Sequence, residues 1–192
     1  MRVFVAGASG VVGVRLLPLL VEAGHDVAGM TRSPNKIAVV RALGAEPVLC
    51  DVYDADALRA AIGEFRPDAL LHQLTDLPDD AAQIPALGAR NDRMLREGTA
   101  NLLGAARLGA VERILAQSVA WELPGERGAA YRDHERAVLD AGGVVVRLGQ
   151  LYGPGTYYES EKPDPPRIQV DEAARWTVAA LDEGEGIVEI VE

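Results

Sequence analysis

The chain is poor in the residues that staple, ligate or carry mobile charge. Cys50 is the single cysteine, so no disulfide can form within the chain. Its place at the end of an apolar run makes it a small core side chain in a reducing, cytoplasmic setting, not a nucleophile. Three histidines, His25, His72 and His134, stand far apart, and no His and Cys spacing suits a metal. Basic residues are too few: 19 Lys and Arg against 29 Asp and Glu leave a net charge of -10, which argues against nucleic acid or an anionic membrane as partner. The most apolar early stretch is broken by Pro18 and Glu22, so neither a signal peptide nor a membrane span is expected. Lysine occurs only at Lys36 and Lys162, and no internal repeat is present. What remains is a chain of 192 residues, 48% hydrophobic and 25% charged, the balance of an ordinary globular domain with one substantial core.

The most informative stretch opens the chain. Val3-Phe4-Val5-Ala6 is an apolar strand that runs into Gly7-Ala8-Ser9-Gly10-Val11-Val12-Gly13 and then into a helix. The first glycine allows a sharp turn, the second lets a pyrophosphate approach, and the third lets helix and strand pack closely. Unpaired N–H groups at the helix start favour the anion. Beyond it, short β-rich runs alternate with helical periodicity. Strands are expected near Val3 to Ala6, Val27 to Thr31, Pro47 to Cys50, Ala69 to Leu74, Arg113 to Ala116 and Val144 to Leu148, with a half-exposed one in Gly186 to Val191. Helices are expected over about Val11 to Ala23, from Pro34 to Gly44, after Asp54, over Ala86 to Leu108, over Ala129 to Ala141, and from a cap at Asp171 to Leu181. Four prolines in Gly153 to Pro166 make a loop. The fold class is therefore α/β, a Rossmann-type doubly wound parallel sheet in a single domain.

Several ordered segments resemble the extended and atypical short-chain dehydrogenase/reductase proteins, specifically the NAD-dependent epimerase/dehydratase group. The glycine turn is similar to that group's T-G-A-T-G-F-I-G, with Ala6 in place of threonine. Cys50-Asp51-Val52 resembles its adenine-cradling G-D-L, and Leu71-His72-Gln73-Leu74 its H-L-A-A stretch beside the nicotinamide ribose. Glu97-Gly98-Thr99-Ala100-Asn101-Leu102-Leu103 is similar to its E-G-T-x-N-L-L helix. Gln117-Ser118-Val119-Ala120 resembles the strand end that supplies an active-site serine, Arg147 to Pro154 its R-x-x-x-x-Y-G-P, and Gln169 to Ala174 its H-V-D-D-A-A. The resemblance implies a nicotinamide dinucleotide held by Gly7, Ser9, Gly10, Val11, Val12, Gly13, Thr31, Arg32, Ser33, Lys36, Asp51, Val52, Gln73, Leu74, Thr75 and Ser118. Residues 149–192 stand where a substrate-binding region lies, and are short for it. The links between Trp121 and Tyr131 and between Tyr158 and Ile168 are brief as well, so little supports a nucleotide-sugar substrate.

The tip of the second strand selects the dinucleotide. An acid there would favour NAD by binding the ribose 2′-OH. Here Arg32, Ser33 and Lys36 can instead meet a 2′-phosphate, so NADP is expected over NAD; otherwise the two basic residues solvate a loop. The family's tyrosine and the lysine four residues later should lie before Val144. Tyr131 is the tyrosine, but Glu135 stands four beyond it, and a shifted register returns no lysine. Its charge would raise the phenol pKa. Tyr158 and Lys162 spell the right spacing in the wrong place, a coincidence. Ser118 either hydrogen-bonds a substrate oxygen or is structural; Trp121 and Tyr152 either line a pocket or pack. His72 suits a core position, and His134 a helix surface. Arg90, Arg93, Arg96 and Leu95 could join a homodimer face or meet water. Two functions follow: an NADPH-dependent oxidoreductase acting on a small carbonyl compound, with Ser118 and Tyr131 as catalytic residues, or a catalytically reduced NADP sensor.

Overall fold

The computed structural model describes residues 1–192. In β1 (Arg2–Ala6), Val3 to Ala6 are fully buried, because a central strand of a sheet covered on both faces has no solvent side. From it the chain alternates helix and strand: α1 (Gly13–Glu22), β2 (Asp26–Thr31), α2 (Ile37–Ala42), β3 (Glu46–Leu49), α3 (Ala55–Phe65), β4 (Ala69–His72), α4 (Ile84–Arg93), α5 (Thr99–Leu108), β5 (Arg113–Val119), α6 (Gly125–Asp140), β6 (Val144–Leu148), β7 (Gln150–Tyr152), β8 (Arg167–Gln169), α7 (Val170–Glu183) and β9 (Ile187–Ile190). Seven strands form one parallel sheet in the order β3-β2-β1-β4-β5-β6-β9. Strand order reverses between β1 and β4. The connections leaving those two strands part there, and a crevice opens at their C-terminal ends.

Each face of the sheet carries its own core. Leu16, Leu17 and Leu20 of α1 meet Ala173, Ala174 and Ala180 of α7 on one side, and Leu58 and Ile62 of α3 meet Leu102 and Ala105 of α5 on the other. These positions recur three and four apart, which gathers them on one stripe of each helix. Every fully buried leucine contributes about 1.5–3 kcal/mol.

Several boundaries move for identifiable reasons. β4 stops at His72, two residues early, because Leu74 N–H donates to His72 Nδ1 instead of joining the ladder. β5 runs on to Val119, since β6 pairs with it as far as Leu148. α6 starts at Gly125, before the expected Ala129. The cap of α7 is Gln169 and not Asp171: the Gln169 carboxamide oxygen accepts from the N–H groups of Asp171 and Glu172, leaving the Asp171 carboxylate to Arg15 at 2.5 Å. The expected helix over Ala86 to Leu108 is continuous from Ile84 to Leu108 but contains a π turn at Met94–Gly98. The wider turn absorbs one residue, so Asn91 and Thr99, eight apart, both face the interior. Of residues 149–192, α7 and β9 complete the layered sheet, while the stretch from Gln150 to Gln169 lies beside it as a loop with a two-stranded ribbon, β7 and β8.

Candidate functional site

The crevice at the β1, β2 and β4 ends is a cleft of about 360 Å³. Its lining brings together Gly7, Ser9, Gly10, Thr31, Arg32, Ser33, Lys36, Asp51, Val52, Gln73, Leu74 and Thr75, twelve of the residues expected from sequence, and adds Met30, Cys50, Asp79 and Met94. Gly7 takes a φ of +95°, and a Cβ on it would lie 2.7 Å from the Gln73 backbone. Only a residue without a side chain brings β1 and β4 this close. Ser9 Oγ lies 2.9 Å from Thr31 Oγ1, which also accepts from Ser33 N–H, so the tips of β1 and β2 are tied together. The N–H groups of Val11, Val12 and Gly13 meet no protein acceptor, and α1 has no side-chain cap. Gln73 is 6% exposed, yet neither its carboxamide oxygen nor its nitrogen has a partner in the protein. Leaving such a group unpaired costs about 1–3 kcal/mol. A cradle of bare amides and an orphaned carboxamide in one cleft fit the polar backbone of a dinucleotide.

The E-G-T-x-N-L-L segment acts on this cleft from behind. Asn101 donates to Val52 O at 3.0 Å and so fixes the strand end that Asp51 follows. Thr99 sits in a buried chain whose protons can be placed one by one. Leu74 N–H donates to His72 Nδ1, His72 Nε2–H then faces Thr99 Oγ1 at 3.0 Å, the Thr99 hydroxyl faces His134 Nδ1 at 2.7 Å, and His134 Nε2–H donates to Gln117 O. Each imidazole carries one proton, on Nε2. His134, expected at the surface, is 1% exposed, because α6 turns it toward α5. His72 is buried as expected.

Burial pushes the pKa of His72 well below the usual histidine value, helped by His134, and burial lowers that of His134 too, against the opposing pull of the Gln117 carbonyl and Glu135. Both stay neutral in the fold while the unfolded chain takes up protons below about pH 6.5. Stability is therefore complete above that pH and falls as the pH drops through it, by up to about 1.4 kcal/mol per pH unit for each histidine. Urea unfolding between pH 7.5 and pH 5.5 is expected to show this slope. It should flatten in the His72→Asn/His134→Gln double variant, and a flat wild-type profile would contradict the neutral chain.

Behind Arg32 of the cleft lining, Asp76, 8% exposed, receives two guanidinium groups, Arg32 at 2.9 Å and Arg90 at 2.7 Å. Burial works against its charge, but the hydrogen bonds from Arg90 and Arg32 outweigh that and hold the carboxyl below its usual range. Arg32 thus reaches the cleft already paired, with about half its side chain exposed. Asp76 N–H donates to Asn91 Oδ1 at 3.0 Å, and Asn91 Nδ2 points at the Tyr131 hydroxyl at 3.4 Å. Asp76 and Asn91 escaped sequence reasoning, and Arg90 was read only for a dimer face or solvent, because their roles depend on one another across 14 and 15 residues, with no motif among them.

Tyr131 lines a second cavity, of about 350 Å³, with Trp121, Leu123, Arg132, Glu135 and Arg147. Glu135, where a lysine was sought, is 8% exposed and carries a two-toothed ion pair with Arg147, at 2.8 and 2.6 Å. Burial opposes its charge, and the hydrogen bonds from Arg147 and Ser118 overcome that, so its pKa lies below the usual carboxylate value. The Tyr131 pKa is raised, as expected, but by burial and not by Glu135, whose charge Arg147 answers. Ser118, 1% exposed, directs its proton to Glu135 Oε1 at 2.6 Å, and lines neither cavity. Trp121 faces the cavity, whereas Tyr152 bonds Glu192 and stacks under Lys162. Tyr158 donates to Gln150 and Lys162 pairs with Glu192, so those two make no dyad. Arg90, Arg93 and Arg96 all find carboxylate partners within the chain, and Leu95 is in the core.

The glycine turn, its orphaned amides and the strand order have a counterpart in sequence: residues 7–182 match the model of a family described as NAD(P)H-binding. The chain belongs to that family. It is 34% identical over 182 residues to a 3-diazoavenalumate denitrifying reductase from a Streptomyces species, covering 82% of this chain and 59% of the relative. A 4-hydroxy-2-methyl-3-oxo-4-farnesyl-3,4-dihydroquinoline-1-oxide ketoreductase from Stigmatella aurantiaca is 32% identical over 178 residues, covering 80% of this chain and 51% of the relative. The chain therefore spans between half and three-fifths of the lengths of these two proteins. In fold, it superimposes on the UDP-glucose 4-epimerase of Thermus thermophilus, crystallised with NAD, with a TM-score of 0.84, 21% identity and coverage of 100% of this chain and 78% of the other. No helix is long and apolar enough to cross a membrane.

Proposed function

We propose that this protein is an NADPH-dependent reductase of a small carbonyl compound, with Tyr131 as the proton donor. The observation that carries the reading is the Tyr131 hydroxyl: it accepts from Asn91, no protein group accepts its proton, and it lines a cavity. Two relatives whose names describe a reductase and a ketoreductase support it. When bound, the reduced nicotinamide supplies a hydride to the carbonyl carbon. The protein's part is to hold the cofactor and to complete the product: the Tyr131 O–H bond breaks, a bond between that proton and the former carbonyl oxygen forms, and water reprotonates the phenolate. The N–H groups from Val11 to Gly13 would hold the diphosphate, and Asp51 and Val52 the adenine side. The Gln73 carboxamide and the Leu74 and Thr75 backbone would meet the ribose and its neighbours. Burial raises the phenol pKa, and the hydrogen bond from Asn91 opposes that rise, moving the group toward the acidity a donor needs. Ser118 acts through Glu135, which lines the cavity, as a positioning residue.

For the dinucleotide, Arg32, Ser33 and Lys36 at the rim of the cleft favour NADP. If Arg32 turns to a 2′-phosphate, Arg90 still neutralises Asp76, so the exchange leaves no bare carboxylate. A charged Arg to phosphate contact is worth about 1.5–3 kcal/mol, roughly tenfold to a hundredfold in affinity. Arg32→Glu is expected to erase that preference for NADPH over NADH by calorimetry, and an unchanged ratio would overturn the assignment. Turnover is tested by NADPH oxidation over a panel of aldehydes, ketones and quinones. The second reading, a cofactor-binding sensor, is favoured by one observation, the Glu135 and Arg147 pair where a lysine would stand. Thermal stabilisation by NADPH with no turnover on the panel would select it.

A further inference from the structure

Asn91 is 2% exposed and stands on the last full turn before the π segment. Its carboxamide is oriented without ambiguity, because the Asp76 N–H can only donate and therefore faces Oδ1, at 3.0 Å. The other end of the amide, Nδ2–H, then points at the Tyr131 oxygen. Asp76 is itself held by Arg32 and Arg90, so the amide is anchored to a rigid, charge-compensated corner. The family's lysine position is filled by Glu135, which is turned to Ser118 and Arg147 and makes no hydrogen bond to the phenol.

We propose that Asn91 takes over the lysine's place as the positioning residue for Tyr131, gripping the phenol oxygen from behind so that its proton is presented to an acceptor atom in the adjoining cavity. This rests on Tyr131 being the proton donor of the proposed reduction. The phenol oxygen has one proton to give and lone pairs to receive. With Asn91 donating from the helix side, the O–H rotates to the side where the protein offers no acceptor. The same N–H then stabilises the phenolate left after the proton departs. Other groups that face the phenol are Arg127, Asp92 and Tyr157, and none of them makes a hydrogen bond to it.

The test is nuclear magnetic resonance of protein carrying carbon-13 at tyrosine Cζ, with Tyr131→Phe assigning the resonance. Asn91→Asp keeps the shape and the acceptor for Asp76 N–H, but its second oxygen takes the phenol proton. The Tyr131 titration is expected to move up by about one to three pH units, and its Cζ shift to differ from wild type already at pH 7. Asn91→Leu, which removes the donor, should also move the titration upward. Acidification through the new carboxylate should return the pH 7 Cζ difference toward wild type in Asn91→Asp alone. With NADPH and 9,10-phenanthrenequinone, the same variant should lose kcat by at least about tenfold while KM for NADPH stays within about twofold. An unchanged Tyr131 resonance and titration in folded Asn91→Asp and Asn91→Leu would overturn the proposal. Should Tyr131 respond while wild type fails to turn over any compound of the panel, the reductase reading falls and the grip of Asn91 on the phenol stands.

Discussion

Gly13→Ala is expected to abolish dinucleotide binding and to destabilise the whole domain. A Cβ at this position would lie 2.2 Å from the Gly7 carbonyl oxygen, and 2.8 and 2.9 Å from the Ala8 carbonyl carbon and Cα. All three are backbone atoms of the phosphate turn, so no side-chain rotation relieves the clash. Either α1 lifts off the turn, taking the fully buried Leu16, Leu17 and Leu20 with it, or the turn deforms and its N–H groups no longer converge. The cost of such overpacking is about 3 kcal/mol or more, about 6–12 °C in Tm for a chain of this size. Gly24→Ala is the control: Gly24 has a φ of +83° with no atom within 4 Å of its would-be Cβ, so only backbone strain of about 1 kcal/mol applies. Thermal melts and NADPH calorimetry on both variants check the contrast. Gly13→Ala melting no lower than Gly24→Ala would mean the close approach of helix and turn is unimportant.

Arg147→Met is expected to cost about 3 kcal/mol at pH 7, because a buried carboxylate that loses its partner keeps its desolvation penalty. Glu135 would retain only the Ser118 hydrogen bond. In wild type the pair holds the Glu135 pKa below the usual range. In the variant burial acts unopposed by a cation and raises it above the unfolded value. The penalty is then fully present at neutral and alkaline pH and shrinks as the pH falls through the raised value. Urea unfolding at pH 7.5 and pH 5 should show the gap between wild type and variant narrowing on acidification; a gap that widens would refute the account. Glu135→Gln should be milder, about 1–2 kcal/mol, since Arg147 is 35% exposed at its side chain and can turn to water. Glu135→Lys restores the family's spelling and sets an ammonium against the Arg147 guanidinium, so it should not raise activity unless Arg147→Glu accompanies it.

Much of this protein was visible in one dimension. Gly7, Gly10 and Gly13 following an apolar run meant a phosphate turn, because only glycine tolerates the +95° φ of Gly7 and the contact of Gly13 with the turn. The alternation of strands and helices set the parallel sheet, and the tip of β2 placed Arg32, Ser33 and Lys36 in the cleft. The expectations that shifted are those that depend on what lies across the fold. His134 looked like a surface residue since its helix is mostly polar, yet it is the link between Thr99 and the Gln117 carbonyl. Glu135 looked like a charge beside a tyrosine until Arg147, twelve residues on and across a strand, answered it. Arg32 looked free to take a phosphate, and Asp76, 44 residues away, already holds it.

The amino-acid sequence by itself determined the layered α/β fold, the glycine cradle and twelve of the sixteen residues that line its cleft, since local turns and apolar periodicity are written in neighbouring positions. Tertiary structure alone decided which way protons and charges point: the Glu135 to Arg147 pair, the histidine chain and the hold of Asn91 on Tyr131. Each of those joins residues brought together only when helices pack on the sheet, and hydrogen-bond direction depends on the partner that packing supplies.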